Sequence, residues 1–424
     1  EPFTRRPVRF LGRAADLHAV LTLLAARRAV LVKGVSGVGK TELAKESAHW
    51  LVARGRVQAQ RIFFVALLNA ASAAAVRDAI ASALNLKLDH WPDDAAAAAA
   101  VLAQHLPPAS LLILDEAENV IDQDGLRFRQ LVETLAGAHT RPQLIITSQS
   151  DVNSAHVPVY TLPQLAPQAA FDLFATTANL MDAELRQMQA AEIHALLAYV
   201  DCLPRAIELV AAVWRRTRSL DLQPLLQDLH TRRDQVMADP RYPLAVKSVT
   251  VGIQLAYDRL RGRNAAAAEF YAQLALFPGG LSEAGAAAIF GDGARAWLAD
   301  IQDQSLLDRR FANLGAELVL LYLPAPLRFF AERQLPTGLD AAQAVWGEAA
   351  LRFYIDFDEE PHRGWADQLD DALTSAGDGM GALIVRYTAE LPSIEAWLDW
   401  AYAHEAGGDG RSRSARLTAL LQNL

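Results

Sequence analysis

Residues 34–41 (GVSGVGKT) form a glycine-rich segment with the spacing G-x-x-x-x-G-K-[ST]. Glycines allow backbone N–H groups to converge on a phosphate at the start of a helix. In this pattern Lys40 would reach the β- and γ-phosphates, and the Thr41 hydroxyl would bind Mg²⁺. The alternative is an ordinary glycine-rich turn between a strand and a helix. The pattern predicts a nucleotide site formed by Gly34, Val35, Ser36, Gly37, Val38, Gly39, Lys40, Thr41 and Glu42.

Two apolar runs farther along the chain end in polar residues. Residues 111–114 lead into Asp115 and Glu116, and residues 144–147 lead into Ser148 and Gln149. Beside a phosphate site, one carboxylate can hold magnesium through water while its neighbour polarises an attacking water. We therefore predict Asp115 as a metal ligand together with Thr41, and Glu116 as the base, with Ser148 and Gln149 near the γ-phosphate. Acids also commonly end strands, which is the simpler alternative.

The order of apolar and helical segments predicts the fold that positions these residues. Five strand candidates alternate with helical stretches such as 73–84 and the alanine-rich 94–105, which begins after Pro92 and two aspartates. Continuous apolar strands that alternate with helices indicate an α/β fold with a parallel sheet covered on both faces. The candidate strands are residues 29–33, 61–68, 111–114, 144–147 and, more weakly, 159–162.

After Pro167 the alternation ends, and helical spacing dominates the rest of the chain. One β-like interruption, at 317–323, follows the turn-prone residues 313–315, and three helices with a short hairpin suggest a winged-helix unit. We predict four domains. They are a P-loop nucleotide-binding domain (1–165), a helical domain (166–247), a winged-helix domain (248–335) and a C-terminal helical segment (336–424).

Composition limits the class of protein. The chain has 424 residues, of which 52% are hydrophobic, a net charge of −9, and Cys202 as its one cysteine. It carries no run of eighteen apolar residues and no signal segment, which predicts a cytoplasmic protein without a membrane contact. The net negative charge of the chain disfavours broad binding to nucleic acid. The sequence begins at Glu1 rather than Met, so we expect effector and sensor domains outside it.

Taken in order, these motifs resemble the NB-ARC cassette of the STAND class of signal-transduction ATPases, of the type found in bacterial regulators. Phe10, Leu11, Gly12 and Arg13 resemble the start motif whose backbone meets adenine. The Cys-Leu-Pro-Arg-Ala segment at 202–206 is similar to the family's Gly-Leu-Pro-Leu-Ala helix start, where the proline, here Pro204, packs on the base. A surface turn at 10–13 and a plain helix-start proline are the alternatives.

Besides Cys202, which replaces the usual glycine, two positions expected to contact phosphates depart from the family pattern. The third strand of the family ends in an arginine that senses the γ-phosphate, and Gln149 stands there in this chain. The family's histidine that contacts ADP aligns with Ala325, and Arg328, one helical turn later, is the nearest cation that could replace it. The resemblance therefore implies weak or absent ATP turnover.

The resemblance implies a molecular switch that binds ATP or ADP with Mg²⁺. It also implies that residues 166–247 are a helical lid and that residues 336–424 start a sensor region. ADP would hold the protein closed, and exchange for ATP would release domains for self-association. Two other functions stay open at this point. They are a DNA-binding transcription regulator that uses the winged-helix domain, and a conventional P-loop ATPase or kinase.

Overall fold

The computed structural model of the chain describes residues 10–68, 70–86, 90–138, 142–181, 184, 190–239, 244–313 and 317–355, together with residues 393, 394, 396, 397 and 400. Within it the chain divides into two compact units, residues 1–252 and 253–424. Most of the segment predicted to start a sensor region, including Trp365, lies outside the described residues.

The first unit is built on a five-stranded sheet in the order β2-β3-β4-β1-β5, and every pairing is parallel. All five residues of β3 are buried, as are four of the five in β1, because helices cover both faces. The predicted parallel α/β fold is confirmed. The strands are β1 (Ala29–Lys33), β2 (Ile62–Ala66), β3 (Leu111–Asp115), β4 (Gln143–Ser148) and β5 (Val159–Thr161).

One helix precedes β1 and four helices connect the strands, and two of these five helices begin at side-chain caps. Ser72 accepts a hydrogen bond from the Ala75 N–H (3.2 Å), and Asp94 accepts one from the Ala97 N–H (2.8 Å). The cap at Asp94 shows why the alanine-rich run is an ordered helix. The helices are α1 (Ala14–Arg27), α2 (Lys40–Ala53), α3 (Ala73–Ala83), α4 (Ala95–His105) and α5 (Glu118–Gly137).

Helix α5 is absent from the sequence-based prediction. Its backbone leaves helical geometry at Asp124 (φ −139°, ψ 38°), next to Gly125, so the apolar periodicity is broken in the middle. The Asp124 carboxylate accepts a hydrogen bond from the Ala73 N–H (2.9 Å), which fixes the start of α3. A local packing demand therefore overrides the pattern that predicts helices.

In the part of the first unit that the structure describes, the elements that follow the sheet are all helices. Trp214 is fully buried, and its ring meets Phe174 edge-on at a centroid distance of 6.3 Å. Prolines begin two of these helices, where the missing N–H costs nothing. They are α6 (Pro167–Ala178), α7 (Ala190–Tyr199), α8 (Pro204–Thr217), α9 (Gln223–Ala238) and α10 (Leu244–Arg263), within which the division between the units falls.

The second unit combines helices with a three-stranded antiparallel sheet in the order β6-β8-β7. The predicted β-like segment is β8, and β7 pairs with it along its whole length. None of the described helices is long and apolar enough to cross a membrane. The elements are α11 (Ala265–Gln273), β6 (Leu281–Ser282), α12 (Glu283–Phe290), α13 (Ala294–Asp303), β7 (Asp308–Asn313), β8 (Glu317–Tyr322), α14 (Ala325–Glu332) and α15 (Leu339–Ile355).

Candidate functional site

The glycine-rich loop connects β1 to α2 at the carboxyl edge of the sheet. The Gly34 N–H donates to the Ser148 carbonyl (3.2 Å), which ties the start of the loop to the end of β4. Gly37 (φ 76°) and Gly39 (φ 99°) have left-handed backbones that a side chain would strain. Helix α2 begins at Lys40, and the N–H groups of its first turn have no partner within the helix. The loop thus has the geometry of an anion site.

Arg13 anchors this loop by a hydrogen bond to its backbone. It is 6% exposed, and it donates to the carbonyls of Val38 (2.9 Å) and Pro163 (2.8 Å) and to the Asp16 carboxylate (3.2 Å). In a trans peptide the carbonyl and the following N–H point in opposite directions, so the bond to Val38 turns the Gly39 N–H away from Arg13. A surface turn at 10–13 does not fit this buried network.

Lys40 lies inside the loop and is 9% exposed. Its ammonium donates to the carbonyls of Gly34 (3.0 Å) and Val35 (3.1 Å). Burial lowers the pKa of Lys40, and the charges of Glu118, Asp115 and Glu116 oppose that shift. The loop therefore surrounds its cation with carbonyls and carboxylates.

Asp115, at the end of β3, accepts hydrogen bonds from two threonine hydroxyls. Thr41 Oγ1 lies 2.9 and 3.1 Å from the two carboxylate oxygens, and Thr147 Oγ1 lies 2.5 Å from Oδ1. Burial raises the pKa of Asp115, while the two hydroxyls lower it. A hydroxyl beside a carboxylate suits Mg²⁺, which takes few protein ligands and completes its shell with water and phosphate oxygens. Among the described residues, no group of three or more His, Cys, Asp or Glu forms a metal cluster.

Glu116 has a left-handed backbone (φ 60°), which is uncommon for a residue other than glycine. Its N–H donates to Thr147 Oγ1 (3.0 Å), and the Ala117 N–H donates to the Thr147 carbonyl (2.9 Å). These bonds hold the strained conformation in place. Such strain is concentrated at functional sites, so it supports a role for Glu116 beyond ending a strand.

The two residues predicted to approach the γ-phosphate form hydrogen bonds with different partners. Ser148 is buried, and its Oγ accepts a hydrogen bond from the Ser150 N–H (2.9 Å). The Gln149 amide donates to Glu118 Oε1 (3.0 Å) in the first turn of α5. Gln149 and Glu118 therefore connect the ends of β3 and β4 beside the loop.

Helix α8 begins against the glycine-rich loop. The Arg205 N–H donates to the Gly37 carbonyl (3.2 Å), and Pro204 Cγ lies 4.0 Å from the place where Gly39 would carry a Cβ. Pro204 also occupies the first turn of α8, so both interpretations of this proline fit its position. The helical segment after the sheet thus meets the loop through backbone and side chain.

The other predicted residues differ in their surroundings. Phe10 and Leu11 are half-buried ahead of α1, Val35 is 40% exposed, and Glu42 accepts a hydrogen bond from Lys45 (2.8 Å). Arg328 belongs to α14 in the second unit, where its Nε lies 3.5 Å from Glu332 Oε1.

Three residues at the site carry contacts that the sequence-based prediction does not assign to them. They are Thr147, which bonds Asp115, Glu118, which bonds Gln149, and Arg205, whose N–H bonds the loop. The available signal is weak, since it consists of a third acid shortly after the Asp-Glu pair and an arginine where the family has leucine. Their partners are distant in sequence.

Comparison with known proteins agrees with the geometry of the loop. The family model described as an AAA domain matches residues 24–154. These residues form a P-loop NTPase domain. A domain of this kind binds a nucleotide, usually with Mg²⁺. No curated protein matches the chain.

Several solved structures share similarity with the chain at low identity. A STAND protein with a tetratricopeptide repeat sensor from Pyrococcus horikoshii is 12% identical, with a TM-score of 0.49 over 94% of this chain and 54% of that one. Cdc6p from Pyrobaculum aerophilum is 14% identical, with a TM-score of 0.40 over 82% and 96%. A Walker-type ATPase of Pyrococcus abyssi is 12% identical, with a TM-score of 0.37 over 78% and 100%. The chain spans about half the length of the STAND protein.

Proposed function

We propose that this chain is a molecular switch that binds ATP or ADP with Mg²⁺, closed with ADP and opened for self-association with ATP. The observation that carries the proposal is the contact of α8 (Pro204–Thr217) with the loop. A nucleotide on the loop would lie beside the start of this helix, so the nucleotide's charge and shape would bias how the helical segment packs. A ligand shifts an equilibrium only through contacts that differ between its states.

In this proposal the loop residues 34–42 hold the phosphates and Pro204 packs near the base, as does the backbone of residues 10–13. Thr41 and Asp115 hold Mg²⁺, and their direct hydrogen bond supports that pairing. Asp115 and Glu116 are the candidate catalytic residues for slow hydrolysis, with Ser148 and Gln149 on the γ-phosphate side.

The domain organisation belongs to the same proposal. We divide the chain into the P-loop domain (1–165), a helical lid (166–247), a winged-helix domain (248–335) and a helical segment that starts a sensor region (336–424). The helices that follow β5 support the lid, and α11 to α13 with the three-stranded sheet support the winged helix. Effector and sensor partners would lie outside the chain.

The nucleotide bound after purification tests the proposal. We expect ADP to remain bound and to be released by acid, and we expect the Mg²⁺ complex of a non-hydrolysable ATP analogue to raise the mass measured by light scattering. A protein that binds neither nucleotide contradicts the proposal. Rapid steady-state turnover without a change in mass would favour a conventional ATPase. Nucleotide-independent retention of random duplex DNA on a filter would favour a DNA-binding regulator.

A further inference from the structure

The first turn of α5 brings a third carboxylate, Glu118, to the P-loop site. Its Oε1 accepts a hydrogen bond from the Gln149 amide (3.0 Å), and Gln149 follows β4, whose last carbonyl, that of Ser148, accepts from the Gly34 N–H (3.2 Å). Glu118 is therefore tied through one neutral residue to the strand that anchors the loop. Asp115 and Glu116 are tied to the same strand through Thr147 instead.

The second oxygen of Glu118 is unsatisfied. Oε2 is buried and makes no hydrogen bond to any residue that the structure describes. Within the described part of the chain, no lysine or arginine forms a salt bridge with Glu118. A buried carboxylate oxygen without a donor is costly, so its position calls for a physical explanation. Its charge is thus held at the site without local neutralisation by a salt bridge.

The negative charge of Glu118 acts on Lys40. Among the carboxylates that oppose the lowering of the Lys40 pKa by burial, Glu118 acts most strongly, ahead of Asp115 and Glu116. Asp115 differs from Glu118 because two hydroxyls satisfy it and it is the candidate Mg²⁺ ligand. Glu118 thus adds a negative charge next to the lysine expected to receive the terminal phosphate.

We propose that Glu118 sets the nucleotide preference of the site and makes it favour ADP over ATP. The inference rests on the proposed function, because it concerns the same nucleotide site. ATP carries one more negative phosphate group than ADP, and Lys40 is expected to meet that group as well as the β-phosphate. A fixed carboxylate nearby repels the additional charge, and burial weakens the screening by solvent and salt. The preference would keep the switch closed until ATP is in excess.

The test compares binding of two Mg²⁺ complexes, those of ADP and of a non-hydrolysable ATP analogue, by calorimetry. Glu118→Gln removes the charge and keeps an oxygen that accepts from Gln149. We expect it to raise the affinity for the ATP analogue relative to ADP by about tenfold, from one charge removed at short range in a partly buried site. Glu118→Asp keeps the charge and should keep a preference for ADP.

Asp122→Asn is the matched control, because Asp122 is exposed one turn farther along α5 and the change removes the same net charge. We expect it to alter the ratio of affinities by less than twofold. If Glu118→Gln leaves the ratio within twofold of wild type while both nucleotides still bind, the inference is wrong and the proposed function stands. If wild type binds neither nucleotide, both fail. A purely structural role for Glu118 would weaken both nucleotides together and leave their ratio unchanged.

Discussion

Lys40 supplies charge to the site rather than packing to the core. Among the described residues, its ammonium donates only to backbone carbonyls, those of Gly34 and Val35. We therefore expect Lys40→Ala to weaken ADP binding by roughly tenfold to a hundredfold, the value of a hydrogen bond to a charged group. The thermal midpoint of the free protein should hardly move. Calorimetry and thermal denaturation measure the two effects.

The control for this variant is Arg54→Ala, at the far end of α2, where Arg54 lies over the Trp50 ring. It removes a cation from the same helix and should leave ADP affinity unchanged. Tight ADP binding by Lys40→Ala would contradict the assignment of the loop.

Gln149 gives a prediction about ATP handling. It is a neutral amide bonded to Glu118 (3.0 Å), at the position where the resembling family has an arginine. We expect little ATPase activity in wild type, and we expect Gln149→Arg to tighten binding of an ATP analogue, because the new cation would offset the carboxylate. Steady-state phosphate release and calorimetry test both statements. Fast turnover in wild type, or unchanged ATP binding in Gln149→Arg, would count against this role.

Tyr160 makes stability depend on pH in the alkaline range. Burial and the hydrogen bond to Asp16 raise the pKa of Tyr160 to about 12, from 10.0. The folded state therefore favours the neutral phenol, and this contribution is complete below pH 10 and declines as the pH rises toward 12. We expect the difference in unfolding free energy between wild type and Tyr160→Phe to be constant below pH 10 and to shrink above it. Urea denaturation at several pH values measures it.

At the scale of elements, Gly12 allows the N-terminal motif to pack closely on α6. Its backbone is left-handed (φ 68°), and an added Cβ would lie 2.2 Å from the Cβ of Ala169. Gly12→Ala should therefore cost about 3 kcal/mol of unfolding free energy, from overpacking and backbone strain together. Gly55→Ala is the matched control, because Gly55 has a similar φ of 64° and nothing within 4 Å.

We expect Gly55→Ala to cost about 1 kcal/mol, which is the backbone strain alone. Equal losses of stability in the two variants, measured by chemical denaturation, would show that α6 can yield to the new methyl group. A larger loss in Gly12→Ala would confirm that the start motif is held against the helical segment.

The sequence predicts most elements of the first unit because its strands are continuous apolar runs and its helix starts carry caps and prolines. It does not predict α5, where Asp124 interrupts the helical pattern. It implies β7 only as the partner strand of a short hairpin and gives it no bounds, because residues Asp308–Asn313 are polar along most of their length. Local pattern therefore succeeds where burial is uniform and fails where a distant partner decides the conformation.

The residues of the candidate site also fall into two groups, those that the sequence predicts and those that it does not. Lys40, Thr41 and Asp115 lie in short motifs whose spacing itself indicates chemistry. Thr147 bonds Asp115 and Glu118 bonds Gln149, and in each pair the partners are about thirty residues apart along the chain. No local sequence pattern predicts such contacts. The carboxyl edge of the sheet brings them together.

At the scale of the whole molecule, the proposed closed state needs a group that replaces the missing histidine at Ala325. Arg328 is the nearest cation by spacing. We expect Arg328→Ala to speed ADP dissociation, and Ala325→His to slow it, each by roughly tenfold or more, the value of a hydrogen bond to a charged phosphate. Stopped-flow release of a fluorescent ADP measures the rates, with light scattering to follow mass. Unchanged rates in both variants would mean that the second unit does not gate nucleotide release.

The order of strands in the sheet has a consequence for how the protein is made. The strand that carries the P-loop, β1, pairs with β4 and β5, so Ala29 meets Leu144 and Leu31 meets Val159. On the ribosome, β1 emerges more than about a hundred residues before either neighbour, and pairings this distant in sequence form late. The nascent chain must therefore carry an apolar strand without its final partners through a long stretch of synthesis. The strand that precedes the P-loop therefore gains both of its neighbours only after β4 and β5 have left the exit tunnel.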